Sequence, residues 1–327
     1  MARKGDEVVD WDSKAITEVR KAATAGDVEA QSELFYRYYD GDRVKKSYRL
    51  AAAWARKAAK QGHAVAQCNL GHLYHYGRGV RRNLRAAATW FRRSALQNNP
   101  YGQYCLGLAL FYGRGLKRDE RAGARWFLQS AARGNELAAY ALGHWYCGAG
   151  GRKSYAKAFE YYRTAAAAGC VAAQCALGDM YSNGMGVRRS DREAVKWWAR
   201  AAKAGDADAQ QRLGWAFYHG KGIKRDEVEC FKWYLRSAKQ GNAVAQADVA
   251  DCYRYGDGVR PSRREEFRWS LKAAKAGDAE GRYLLSLCYR DGHGVRKNAA
   301  LARKWLRLAA AGGSQNAKRA LRTIAGK

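Results

Sequence analysis

Residues 62–98 read GHAVAQCNLGHLYHYGRGVRRNLRAAATWFRRSALQN. Leu70-Gly71-His72-Leu73-Tyr74 leads to a loop, Gly77-Arg78-Gly79, and then to an alanine-rich run around Trp90. This order recurs along the chain. Leu142-Gly143-His144-Trp145-Tyr146 and Leu177-Gly178-Asp179-Met180-Tyr181 restate the first motif. Gly113-Arg114-Gly115, Gly184-Met185-Gly186, Gly220-Lys221-Gly222, Gly256-Asp257-Gly258 and Gly292-His293-Gly294 restate the loop. Trp54, Trp126, Tyr161, Trp197, Trp233, Trp269 and Trp305 take the place of Trp90. Gly26, Gly62, Gly134, Gly169, Gly205, Gly241, Gly277 and Gly313 close the alanine-rich runs and set a period of 36 residues, with one deletion near Gly148. Asn98 stands where one of these glycines is missing, and Asn also enters the left-handed region. A period of this length marks a helical solenoid, in which each unit buries its apolar face only against its neighbours.

The helix ends are legible. Two prolines in 327 residues leave long helices possible. Ser47, Asn83, Asp119, Ser154, Ser190, Asp226, Ser262 and Asn298 open the second helix of each pair, and all are favoured N-caps. Gly71, Gly107, Gly143, Gly178 and Gly214 fall inside the first helix, where each costs about 1 kcal/mol relative to alanine. Close approach of a neighbouring helix would offset that cost, with the second-helix aromatics filling the space between hairpins. The reading is an all-α solenoid of antiparallel helix pairs. Residues 1–26 form an N-terminal cap with a helix from Trp11 to Ala25. Residues 27–313 form eight hairpins. Residues 314–327 form a basic capping helix, Gln315 to Ile324.

The net charge is +30, from 60 Lys and Arg against 30 Asp and Glu. Such a surface attracts nucleic acid, anionic membrane or acidic protein and opposes self-association, so a monomer is expected. Met1 to Asp12 carries Asp6, Glu7, Asp10 and Asp12 and resembles neither a signal nor a transit peptide. No apolar window is long enough to span a bilayer. Eight cysteines without a CxxC suit reduced thiols. A cytoplasmic protein is expected, with the nucleus open in a eukaryote, and not a secreted one.

The pattern Ala-x-x-x-Leu-Gly-x-x-Tyr-x-x-Gly-x-Gly-Val, followed by aromatic-Tyr/Phe-x-x-Ala-Ala-x-x-Gly, resembles the Sel-one-like (SLR) repeat family, a 36-residue relative of the tetratricopeptide repeat. The resemblance spans about residues 11–325. It implies a right-handed superhelix of helix pairs and an adaptor function, with a concave face lined largely by the first helices. Some secreted relatives carry a disulfide in each hairpin and are linked to β-lactam binding. This chain lacks their regular cysteine pairs; Cys68 and Cys175 stand where Tyr104 stands in another repeat.

Two rows of residues are candidates for contact with a partner. The position after Leu-Gly varies while its neighbours do not, giving Tyr36, His72, Leu108, His144, Asp179, Trp215 and Asp251, with Tyr218 nearby. This row is expected to hold a protein partner, with Tyr36, Trp215 and Tyr218 as aromatic anchors. The second row is a series of basic dyads: Lys45-Lys46, Arg81-Arg82, Lys117-Arg118, Arg152-Lys153, Arg188-Arg189, Lys224-Arg225 and Arg296-Lys297. The remaining repeat has Arg260-Pro261 with Arg263 and Arg264 just after. Positive charge before a helix N-terminus is unfavourable, so the series points to nucleic acid or another polyanion as the alternative partner. The Gly-x-Gly loops are turns rather than phosphate loops, because no strand precedes them and no Gly-Lys-Ser/Thr follows. Cys68, His72 and His75 share a helix face at metal-ligand spacing, but no fourth ligand is evident and Cys68 fills a core position, so no metal is assigned. No nucleophile–base constellation appears. An enzyme is not expected, no catalytic residue is named and no cofactor is called for.

Overall fold

The computed structural model describes residues 10–149 and 151–325. Among them are α-helices and no strands, arranged in two compact units that divide between Gly148 and Ala149. The first unit holds α1 (Ile16–Ala25), α2 (Val28–Asp40), α3 (Tyr48–Lys60), α4 (Ala64–Tyr76), α5 (Leu84–Leu96), α6 (Pro100–Phe111), α7 (Glu120–Ala131) and α8 (Glu136–Ala149). The second holds α9 (Arg152–Ala167), α10 (Val171–Asn183), α11 (Asp191–Lys203), α12 (Ala207–His219), α13 (Glu227–Lys239), α14 (Ala243–Tyr255), α15 (Arg263–Lys275), α16 (Ala279–Asp291), α17 (Ala299–Ala311) and α18 (Gln315–Ala325). From α2 to α16 the even-numbered helices are the first helices of their pairs, and α4, α6, α8, α10 and α12 carry the Leu-Gly motif. Each unit is a solenoid of helix pairs, its core threaded between first and second helices.

The interior glycines do have a helix close by, but the aromatic that needs the space is not the one expected. A Cβ on Gly71 would lie 2.5 Å from the Phe91 ring, and one on Gly107 would lie 2.6 Å from Phe127. Gly178 stands against Trp198 and Gly214 against Tyr234 in the same way. These rings follow the Trp90, Trp126, Trp197 and Trp233 row by one residue, and they fill space within a hairpin rather than between hairpins. The Trp row itself is mostly half-buried. Basic residues one turn on lie over its rings, as with Arg93 over Trp90 at 4.5 Å and Lys272 over Trp269 at 3.9 Å. The first hairpin inverts the arrangement: Phe35 occupies the glycine position and Ala55 the aromatic one, both buried.

Neighbouring hairpins are joined by a polar ladder. Gln31, Gln67, Gln103, Gln210 and Gln246 each donate to a carbonyl in the last turn of the preceding helix, at Ala23, Ala59, Ala95, Ala202 and Ala238. Each of those carbonyls also accepts the backbone N–H of a residue just past its helix, from Gly26, Gly62, Asn98, Gly205 and Gly241. Gln61, Gln97 and Gln240 then donate to the side-chain oxygens of Gln31, Gln67 and Gln210 at 2.8–2.9 Å. The second loop glycine serves the same joint. Gly79 and Gly115 face backbone of the previous hairpin at Tyr48 and Leu84, where no Cβ fits.

Two local expectations need correction. Seven of the eight N-caps accept a backbone N–H as read, but Ser154 lies in the first turn of α9, whose N-cap is Gly151. The repeat is one residue short there, so the helix starts early and takes Arg152 and Lys153 with it. At the other end, residues 11–14 are not helical. The buried Arg37 guanidinium captures the carbonyls of Trp11, Asp12 and Lys14 at 2.8–3.0 Å, so α1 begins only at Ile16. Asn98 does adopt the left-handed conformation, at φ +60°. The acidic positions Asp6 and Glu7, and the last two residues of the basic C-terminal segment, lie outside the described residues.

The glycine–aromatic interlock predicts a change of sign. Gly71→Ala should lower stability by about 1–2 kcal/mol through overpacking against Phe91, despite the gain in helix propensity. In a Phe91→Ala background the same change should stabilise. Chemical denaturation of the four variants of this cycle checks both signs.

Candidate functional site

The first helices of successive repeats touch one another, as α4 does α6 and α14 does α16. Their register brings fixed positions together. Residues 33 apart meet across the joint: Asn69 Nδ2 donates to Tyr36 Oη at 3.2 Å, Cys105 Sγ lies 3.3 Å from His72 Nε2, and Arg212 Nε donates to Asp179 at 2.8 Å. Residues 37 apart also meet, as Gln211 Nε2 donates to Asp248 at 2.8 Å. The variable row thus has a second row beside it, from the next repeat: Asn69, Cys105, Arg212 and Asp248. Sequence reasoning missed these residues. A search at one period minus three would have found most of them.

The expected partner row is unevenly available. Tyr36 is 42% exposed and His144 is exposed, with His144 Nε2 2.9 Å from the Tyr140 hydroxyl. His72, Leu108, Asp179, Trp215, Tyr218 and Asp251 are half-buried. Asp179 also accepts from the Trp198 indole at 3.1 Å, which gives it a structural task. Around Trp215 the surface stays open to chemistry. Its ring centroid lies 4.6 Å from that of His219, and Asp248 and Asp251 stand on the next first helix, α14. Burial pushes the Asp248 carboxyl up to about 7, against the Gln211 hydrogen bond that lowers it. Burial and the neighbouring Asp248 carry Asp251 to about 7 as well, with Arg254 opposing.

The dyads are exposed at all fourteen positions, and their two members differ. The second closes the loop: the side chains of Lys46, Arg82 and Arg118 lie over the first loop glycines Gly41, Gly77 and Gly113. Arg118, Arg189 and Arg225 also pair with the acids opening the next helix, Glu120, Asp191 and Glu227. Arg82 Nε donates instead to the His75 carbonyl at 3.1 Å. The second basic residue therefore has a reason within the fold, contrary to expectation. The first members Lys45, Arg81, Lys117, Arg188, Lys224 and Arg296 make no ion pair or side-chain hydrogen bond among the described residues. In the repeat without a dyad, Arg263 is tied to the buried Glu266 at 3.1 Å, beside Arg254 at 3.0 Å.

Cys68, His72 and Cys105 bring their ligand atoms within 4.8 Å of one another. His75, the third residue of the sequence triplet, is not in this group; its ring meets Tyr76 edge-on. A hydrogen bond from the Cys105 thiol, aided by His72, draws Cys68 down to about 6 against its burial and raises Cys105. No disulfide is formed among the described residues, and no helix among them is long and apolar enough to cross a membrane.

The Sel1 repeat family model matches the chain eight times in succession, at residues 28–63, 64–99, 100–135, 137–170, 171–206, 207–242, 243–278 and 279–314. The chain belongs to the Sel1 repeat family. Sel1 solenoids generally serve as protein-interaction scaffolds and are typically not enzymes. Among solved Sel1 structures, the chain is similar to c5321, a protective antigen present in uropathogenic Escherichia coli strains and displaying an SLR fold. That likeness has 31% identity and a TM-score of 0.77, over 95% of this chain and 67% of the other. It is also similar to a Sel1 repeat protein from Oxalobacter formigenes, with 29% identity and a TM-score of 0.65, over 99% of this chain and 98% of the other. A search of the curated proteins found no match.

The Asp248 carboxyl carries a stability prediction. Its folded-state value lies above the usual 3.8, at about 7, so its protonated form is the one that suits the fold. Its contribution is intact below about pH 4 and is lost as the pH rises to about 7. Asp248→Asn should therefore match the parent near pH 4 and exceed its stability by on the order of 2 kcal/mol at pH 8. Thermal melts across that range measure the difference.

Proposed function

We propose that this Sel1 solenoid is a non-enzymatic scaffold that holds a protein segment along its first helices. The segment would carry Lys or Arg and dock on the second unit around Trp215. The observation that carries this reading is the register: Asp248 stands 33 residues on from the half-buried Trp215, the spacing at which Tyr36 meets Asn69 and Asp179 meets Arg212, and burial raises Asp248 and nearby Asp251 to about 7. An aromatic anchor beside poorly solvated carboxylates suits a basic side chain, which would return to them the stabilisation that burial removes. A local acidic site on a chain of net charge +30 also discriminates between partners. The overall charge repels basic segments that do not fit the site.

Peptide arrays differing in charge test this reading. Basic peptides should bind and acidic ones should not bind around Trp215. Trp215→Ala should weaken binding by about 30-fold or more, the loss expected of a hot spot. Binding should also weaken as the pH falls below about 7, where Asp248 and Asp251 take up protons. Equal binding by the parent and Trp215→Ala would refute the assignment.

The exposed first members of the dyads favour a second reading, polyanion binding. Lys117, Arg188 and Lys224 make no ion pair or side-chain hydrogen bond among the described residues, whereas the residues that follow them do. Reversing these three to Glu should abolish binding of a labelled duplex and leave the melting temperature unchanged. Reversing Arg118, Arg189 and Arg225 should instead lower stability, by up to about 1 kcal/mol for each exposed pair. In the parent, log K should fall by roughly 0.9 per contacted phosphate for each log unit of salt.

A further inference from the structure

We propose that Cys68, His72 and Cys105 form a binding site for a thiophilic closed-shell cation of the zinc class, with one coordination position left open. The site joins two repeats, since Cys68 and His72 lie on α4 and Cys105 on α6. The ligand atoms already lie within 4.8 Å of one another, and Cys105 Sγ is 3.3 Å from His72 Nε2. Tetrahedral zinc at its usual bond lengths sets ligand atoms about 3.3–3.8 Å apart, so small side-chain rotations complete the geometry.

The charge balances as well. Two thiolates neutralise a divalent ion, and a neutral imidazole completes the set. The buried site then holds no net charge, which avoids most of the penalty of burying an ion. The imidazole is held in place by its surroundings. It stacks on Tyr101 at 5.4 Å and meets Phe91 edge-on at 5.2 Å. A ligand so confined loses little freedom on binding.

The open position faces a cavity of about 50 Å³, lined in part by His72, His75, Cys105 and Arg114. It admits a water or a small anion, and the Arg114 guanidinium favours the anion. The corresponding positions in the second unit hold Cys175, Asp179 and Arg212, which are also 37 and 33 residues apart. There the joint is closed by the Asp179–Arg212 ion pair at 2.8 Å. The same register thus carries an ion pair in one unit and a Cys-His-Cys set in the other. Core cysteines alone would not require an imidazole in contact with them.

The test uses the full chain, reduced and stripped with a chelator. Cobalt(II) should bind one equivalent, with the visible bands of a tetrahedral centre and a thiolate-to-cobalt charge-transfer band. Zinc(II) should displace it, with affinity read by competition against a chromophoric chelator. Cys105→Ser and His72→Gln should each weaken zinc by roughly 100-fold or more, whereas Cys230→Ser, a buried cysteine elsewhere, should not. Circular dichroism confirms that each variant is folded. A parent protein without the tetrahedral thiolate spectrum overturns the proposal, whatever the variants do. So does undiminished zinc affinity in folded Cys105→Ser and His72→Gln.

Discussion

Most of the structure depends on one constraint, that a hairpin closes with a large ring on one helix and almost nothing opposite it; only α14–α15 and α16–α17 depart from it, with Ala250 and Ser270 or Ser286 and Leu306 at these positions. Phe91 lies on Gly71, Phe127 on Gly107, Trp198 on Gly178 and Tyr234 on Gly214. A dense interior tolerates neither a void nor an overlap, so the two positions trade volume. The first hairpin satisfies the same rule with the ring on the other side, Phe35 against Ala55. The penalty of glycine within a helix, about 1 kcal/mol, is the smaller term beside the burial of an aromatic ring. Because the ring fixes the distance between the two helices, it also fixes the face that each hairpin offers to the next.

That face is joined by polar groups as much as apolar ones. The glutamine ladder gives the last-turn carbonyls of one helix a second donor from the next hairpin, beside the backbone N–H of a residue just past the helix, so the helix termini become part of the stack. The geometry is directional, and it sets the register in which residues 33 and 37 apart meet. Everything assigned to the first helices follows from that register. Tyr36 meets Asn69, His72 meets Cys105, Asp179 meets Arg212, and Gln211 meets Asp248.

The register also separates structural charge from available charge. Asp179 and Arg212 satisfy one another and support Trp198, so Asp179 is largely used by the fold. Asp248 accepts from the Gln211 amide rather than from a cation, and burial raises its carboxyl. Among the dyads, the second arginine stabilises the helix that follows by pairing with its first-turn acid, as Arg225 does with Glu227 at 2.5 Å. The first basic residue has no such task. A chain with a net charge of +30 therefore distributes that charge unevenly between work within the fold and work outside it.

The helix pairs, their period and nearly all their caps were legible in the sequence, because they rest on local chemistry. Asn98 in the left-handed conformation and the N-caps at Ser47, Asn83 and Asp119 depend only on neighbouring residues. Where the repeat loses a residue, local reading failed: Ser154 has the chemistry of a cap, but Gly151 gave α9 an earlier start. The row of variable positions was also visible. What stands beside it was not, because the contact between repeats is set by the angle and offset at which two helices meet. Cys105 shows the limit most clearly. Nothing near it in sequence suggests a ligand, and only the stacking of α6 on α4 brings its sulfur to His72. The sequence by itself determined a solenoid of helix pairs, since periodic small residues and caps act within one hairpin. Only the tertiary structure decided which side chains the solenoid keeps for itself, because that depends on distances between repeats that no single repeat contains.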